Sequence, residues 1–352
     1  MSSPSAEAAP LLLLQKGIMC SLEGSMNQLE DLTELMRHGL SVARIDYDST
    51  TAAEIRELMS GIRAAESALR QEQGFPAHVA IALDLKSEGG SLEESKWQEV
   101  HSLVAAGVDM IVVSSEEAAR ELRQRFASKD PVPHLLLEIS DAKAVQESAL
   151  DVVDGVLVSD KTAAADPLVR LCKSRAKPVI RSSERHLDAD CILLSVASVG
   201  VFKEMRPHLQ SSHSSVPAAA SVDLDTDNPP KAAHILGALN VSLNRESVKA
   251  IVVMDESGKT VRRLVSMRPT CHVVAVVGSE RLARQMRLLQ QVVPLVYEGD
   301  WGVSDWRIEK DERVKAATLF LKECALAKEG DDVVVLTDGK STGVRMSCVL
   351  QV

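Results

Sequence analysis

Aromatic side chains make up only 3% of the 352 residues, with three tryptophans, two tyrosines and four phenylalanines. A core of any size must therefore be built from Val, Leu, Ile, Ala and Met. The net charge is −10 with no basic block, which argues against nucleic acid as a partner. No apolar stretch approaches the roughly 20 residues of a membrane span. The run LLLL at 11–14 is too short and too weakly flanked for a signal peptide. The six cysteines (20, 172, 191, 271, 324 and 348) form no CxxC pair and fall mostly in apolar strands or helices. They read as reduced core thiols of a cytoplasmic protein. The nine histidines show neither HxH nor HExxH spacing, which argues against a histidine metal site.

An apolar content of 45% and a charged content of 26% describe an ordinary globular chain, long enough for a barrel-sized domain and a smaller one. Residues 1–15 read as a disordered leader. From 16 to 210, apolar runs alternate with amphipathic stretches. KGIMCSL, SVARIDYD, HVAIALDL, DMIVVSS, HLLLEIS, GVLVS, KPVIRS and DCILLS are short, continuously apolar strands. Between most of them lie helix patterns such as SMNQLEDLTELMRHG and EEAARELRQRFA. Continuous apolar strands alternating with helices predict an α/β fold of the (β/α)8, TIM-type barrel class.

One connection is abnormal. Between Ser183 and Asp188 only ERHL is available, whereas neighbouring parallel strands need a crossover of roughly ten or more residues. The seventh helix is therefore missing. Either the chain crosses there nearly extended, or the barrel is open. Residues 211–227 read as a linker, and from 228 to 352 the pattern restarts as a small doubly wound α/β domain.

In order and wording, VARIDYD, VAIALDLK, VDMIVVSS, HLLLEIS and DADCILLS, followed by ESGKTVRRLVSMRP and DWRIEKDERVKAA, resemble pyruvate kinase. That resemblance implies a barrel, a small lid domain interrupting the chain after Lys86, and a C-terminal effector domain. Here SEGG leads from Lys86 straight into a helix pattern, so the lid is absent.

The resemblance also implies site residues. Arg44 matches a phosphate-binding arginine, and Asp84 and Lys86 keep their family identities. Asp46 and Asp48 stand where an asparagine and a serine help to hold a monovalent cation, followed by Ser49 in place of a histidine and joined by Leu85 in place of a threonine ligand. Glu138 replaces the catalytic lysine. Ser140 and Thr162 replace the glutamate and aspartate that ligate magnesium, and Ser183 replaces a substrate-side threonine. The family's Mg²⁺ and K⁺ thus lose most of their ligands.

Unit charges about 4 Å apart at an effective dielectric near 20 interact by roughly 4 kcal/mol. Exchanging lysine for glutamate beside a phosphate swings this by roughly 8 kcal/mol, on the order of five decades of rate. The loss of anionic metal ligands compounds the loss, so phosphoryl transfer is not expected. Asp46, Asp48, Asp84 and Glu138 near the strand ends read as acids partnered by Arg44, Lys86 or water ahead of a new metal site.

In the second domain the resemblance makes Ser257, Gly258, Lys259 and Thr260 an effector phosphate loop at a helix start. It places Trp306 and Arg313 at a second phosphate, for an effector such as fructose bisphosphate. The alternative reading is a helix start capped by Ser257 or Thr260, with Trp306 packing. Neither SGKT nor DGKST is a phosphate-binding P-loop, because Val253 and Val334 stand where that motif needs glycine.

The leading expectation is an inactive relative of pyruvate kinase that acts by self-association or by joining active paralogues. The others are a sugar-phosphate sensor built on the second domain and an active kinase with displaced catalytic groups.

Overall fold

The computed structural model describes residues 15–23, 28–86, 92–127, 131–141, 146–159, 165–182, 189–195, 197–210, 229–299, 301, 306–338 and 345–352. The leader before residue 15 and the linker at 211–227 lie outside them, as do Thr162 and Ser183.

The first unit runs β1(Gly17–Leu22), α1(Leu29–Arg37), β2(Leu40–Asp46), α2(Ala52–Gln73), β3(Ala80–Leu85), α3(Glu94–Ala106), β4(Met110–Val113) and α4(Glu116–Phe126). It continues through β5(His134–Ile139), α5(Glu147–Val152), β6(Gly155–Val158), α6(Ala165–Ser174), β7(Val179–Arg181), β8(Cys191–Leu194) and α7(Val199–Gln210). All eight strands form one closed parallel barrel. β7 pairs directly with β8 (Ile180 opposite Cys191), and β8 pairs with β1, so the alternative of an open barrel is overturned. Among the described residues no helix lies between β7 and β8. Two helices, α5 and α7, had no clear sequence pattern: α5 is short, and Pro207 near the end of α7 reads as a helix breaker.

Strand alternation sorts the side chains. Met19, Val42, Ala80, Ala82, Met110, Val112, Leu136, Leu157, Ile180 and Cys191 fill the barrel interior. Their neighbours along each strand, such as Ile18, Ala43, Ile81 and Ile111, pack under the helices. Both faces are buried, which is why these strands read as unbroken apolar runs. Helix ends follow local chemistry: Thr51 and Glu54 make a capping box at the start of α2, and Gly74 (φ 82°) ends it in the left-handed region.

The second unit comprises α8(Pro229–Asn244), β9(Val248–Met254), α9(Lys259–Ser266), β10(His272–Val277), α10(Glu280–Met286), β11(Val292–Val296), α11(Trp306–Glu323), β12(Asp332–Asp338) and β13(Arg345–Gln351). Its sheet has the order β11-β10-β9-β12-β13, parallel except for antiparallel β13. Helices α8, α9 and α10 cover one face and α11 the other, which is the doubly wound arrangement.

This unit is seated on the N-terminal end of the barrel. An aspartate precedes each of three even-numbered strands, and its carboxylate accepts an N–H from the strand before it: Asp109 from Ile81 (3.0 Å), Asp154 from Leu135 (3.0 Å) and Asp190 from Val179 (2.7 Å). Cations gather on them. Arg63 and Arg284 meet Asp109 at 3.1 and 3.0 Å, Arg123 and Arg262 meet Asp154 at 2.7 and 3.4 Å, and Lys173 pairs with Asp190. Arg262 and Arg284 come from the second unit, as does Arg281, which donates to the carbonyls of Val108 (2.6 Å) and Val104 (2.8 Å). The amphipathic pattern SERLARQMRLLQ (279–290) is helical only as far as Met286. Beyond it Leu288 enters the barrel's interior cluster, and the Arg287 guanidinium donates to Ser41 Oγ at 3.2 Å. The approach is close: a Cβ on Gly17 would lie 2.6 Å from Ser41 Oγ and 3.0 Å from the Arg287 carbonyl.

Candidate functional site

The opposite, C-terminal end of such a barrel is where side chains converge on a ligand. Because interior positions recur every second residue, β2 sends Val42, Arg44 and Asp46 to one side, and β3 sends Ala82 and Asp84. Asp46 and Asp84 stand opposite each other in the ladder. With Ser21, Glu23, Ser49, Thr50 and Lys86 they line an open cleft of about 520 Å³.

The centre of this site is one guanidinium held by two carboxylates. Arg44 donates from Nε and Nη2 to Asp84 Oδ2 at 3.1 and 2.7 Å, and from the same Nη2 to Glu138 Oε2 at 2.8 Å. The Arg44 and Asp84 side chains are 10% and 5% exposed, whereas Glu138 is 35% exposed. Burial lifts the Asp84 carboxyl above its ordinary range against the pull of Arg44, and the neighbouring Glu138 charge adds to the lift. Lys86 pairs with Asp46. Burial opposes ionisation of Asp46, but the Lys86 ammonium and the backbone N–H of Asp48 hold its carboxyl below the ordinary range. Asp48 turns outward and meets Lys96 of α3 at 2.7 Å, while Tyr47 donates to Glu99 at 2.7 Å.

The donor set does not suit a divalent ion. Asp84 Oδ2 is taken up by Arg44 and Asp46 by Lys86. Among the described residues no group of three or more His, Cys, Asp or Glu side chains is placed to hold a metal. The structure brings together Arg44, Asp46, Asp84, Lys86 and Glu138. Asp48 lies at the rim. Thr162 and Ser183 are outside the described residues.

In the second unit the loop after β9 leads into α9. Its cap is not Ser257 or Thr260 but Asp255. Asp255 Oδ2 accepts the N–H groups of Thr260 (2.7 Å) and Val261 (3.0 Å), and Oδ1 accepts Ser257 N–H (3.0 Å) and Oγ–H (3.1 Å). Gly258 turns the chain at φ 72°, and Lys259 is exposed. Arg313 lies over Trp301, its guanidinium carbon 3.7 Å from the ring centre. Trp306 begins α11, but its side chain is outside the described set. Of the loop 338–343 only Asp338 is described.

Asp255 opens the loop that was expected to be capped by Ser257 or Thr260; its signal is a carboxylate at a strand end just before a helix. Asp109, Asp154 and Asp190 were not among the expected functional residues, and their signal is an aspartate one residue before each of three even-numbered apolar runs.

Residues 234–349 match the family described as "Pyruvate kinase, alpha/beta domain". Over 310 residues the chain is 24% identical to the pyruvate kinase of Lachancea kluyveri, covering 74% of this chain and 62% of that one. Over 345 residues it is 23% identical to pyruvate kinase 2 of Saccharomyces cerevisiae, covering 87% of this chain and 63% of the other. A shorter segment of 107 residues is 36% identical to the pyruvate kinase of Naumovozyma castellii, covering 30% of this chain and 21% of the relative. The chain spans less than two thirds of the length of these relatives.

Proposed function

The chain belongs to the pyruvate kinase family, and from that premise we propose that it is a catalytically inactive member that acts by association, with itself or with pyruvate kinase subunits. One observation carries the reading. The Arg44 guanidinium, which by resemblance receives a phosphate, is held instead by Asp84 and by Glu138 at 2.8 Å. A phosphate arriving there meets two carboxylates on a single positive charge. The resulting repulsion, several kcal/mol at an effective dielectric near 20, replaces the attraction on which phosphoryl transfer depends. Lys86 does not restore the balance, since its ammonium is matched by Asp46.

The association half of the proposal rests on the scaffold: a closed barrel, a five-stranded second sheet and a dense seam between them. The third reading, an active kinase with displaced groups, needs a second concentration of positive charge at the mouth. Among the described residues lining the cleft, the cations are Arg44 and Lys86, both ion-paired.

The test is pyruvate release from phosphoenolpyruvate and ADP with Mg²⁺ and K⁺, run beside light scattering of the purified chain and capture by pyruvate kinase subunits. No turnover, together with a self-oligomer or a stable mixed complex, is expected. Steady turnover removes the first half of the proposal, and a strict monomer that captures no subunit removes the second.

A further inference from the structure

The start of α9 carries more than a routine cap. A helix N-terminus concentrates unpaired N–H groups at the positive end of the helix dipole, so it attracts an anion. Here both oxygens of a 1% exposed carboxylate are committed to that pole: three backbone N–H groups and one hydroxyl converge on Asp255. The residue is itself anchored, since its own N–H donates to the Val276 carbonyl on β10 at 3.1 Å. The turn that brings the amides round is held from outside as well. A Cβ on Gly258 would collide with the Met286 methyl of α10, so that turn packs directly against the helix that leads into the barrel floor.

We propose that Asp255 is a built-in anion for the pole of α9. Its carboxylate fills the seat that a phosphate monoester would need, and so the second unit holds one arrangement without any external phosphate. A second anion at this place would sit within a few ångströms of a buried carboxylate and find its donors already used. The consequence reaches the barrel, because α9 also carries Arg262, whose guanidinium meets His134 Nε2 at 2.7 Å and Asp154 at 3.4 Å. His134 begins β5, the strand that holds Glu138 near its other end. A helix that ligand binding could otherwise position is thus fixed against the barrel by the chain itself. This inference is independent of whether the mouth is active.

Thermal unfolding of the full chain in increasing inorganic phosphate, against chloride at matched ionic strength, tests it. The unaltered chain is expected to show no phosphate-specific shift. Asp255→Ser opens the seat: it should melt at a lower temperature and recover part of the loss with a saturable dependence on phosphate. Asp255→Thr, whose hydroxyl caps one loop N–H while leaving the rest of the seat empty, is the second variant and should show the same saturable gain. A saturable phosphate shift in the unaltered chain overturns the inference. So does the absence of any phosphate-specific gain in whichever variant folds.

Discussion

At the floor of the barrel, Asp109, Asp154 and Asp190 each accept a backbone N–H from the preceding strand while also facing cations. At the mouth, Asp84 and Glu138 meet on the single guanidinium of Arg44. Both ends join carboxylates to cations, but the bonds have different dependents. Asp109 and Asp154 each hold a strand, a barrel helix and an arginine of the second unit together, and Asp190 joins a strand to Lys173 of α6, so removing one leaves donors stranded in a buried place. Glu138, 35% exposed, borders water at the mouth. Exchanging it alters which ligand is welcome and leaves the barrel standing. A change of charge is thus tolerable where Glu138 lies, because strand pairing in the barrel does not depend on that side chain.

The contrast is sharpest in stability. Asp109→Ala strips the acceptor from Ile81 N–H and the partner from Arg63 and Arg284 at a fully buried side chain. It should cost roughly 3–5 kcal/mol in denaturant unfolding. A cost under about 1 kcal/mol would reduce the floor to the standing of surface pairs.

An intermediate effect comes from His134. Burial, aided by Arg262, lowers its imidazole from 6.5 to about 3. Between those values the unfolded chain binds a proton that the folded chain refuses. Stability therefore climbs as pH rises through that window, by up to about 1.4 kcal/mol per pH unit, and this share is complete above 6.5. Replacing this residue, as in His134→Gln, should flatten the slope of unfolding free energy between pH 4 and 6 by up to that amount, with the pH range chosen inside the window. An unchanged slope would mean that His134 is not held neutral at the floor.

The smallest effect belongs to the mouth. Glu138→Gln removes a charge from a side chain that is 35% exposed and should move stability by less than about 1 kcal/mol. A loss as large as that of Asp109→Ala would erase the distinction between the two ends.

Much of this was legible beforehand. Eight apolar runs gave eight strands in order, because a strand buried on both faces must be apolar at every position. The short stretch after KPVIRS announced a missing helix, since a crossover helix needs residues that are not there. What could not be read was closure: whether β7 and β8 meet despite that gap depends on the curvature of the whole sheet. Arg262, Arg281 and Arg284 look in sequence like the polar face of amphipathic helices. They became a docking surface only because the barrel floor offers carboxylates and carbonyls at matching places.

The sequence by itself determined the element order, the two-unit plan and the family likeness. These follow from periodicity and from identity at single positions, which are local properties of a chain. The tertiary structure alone decided that Glu138 would share Arg44 with Asp84, that Asp255 would fill the pole of α9, and that Leu288 would enter the barrel from the second unit. Each brings together groups that the chain holds apart or leaves free to pair otherwise. Only packing fixes such pairings, because the energy of a charge or a methyl group depends on what surrounds it.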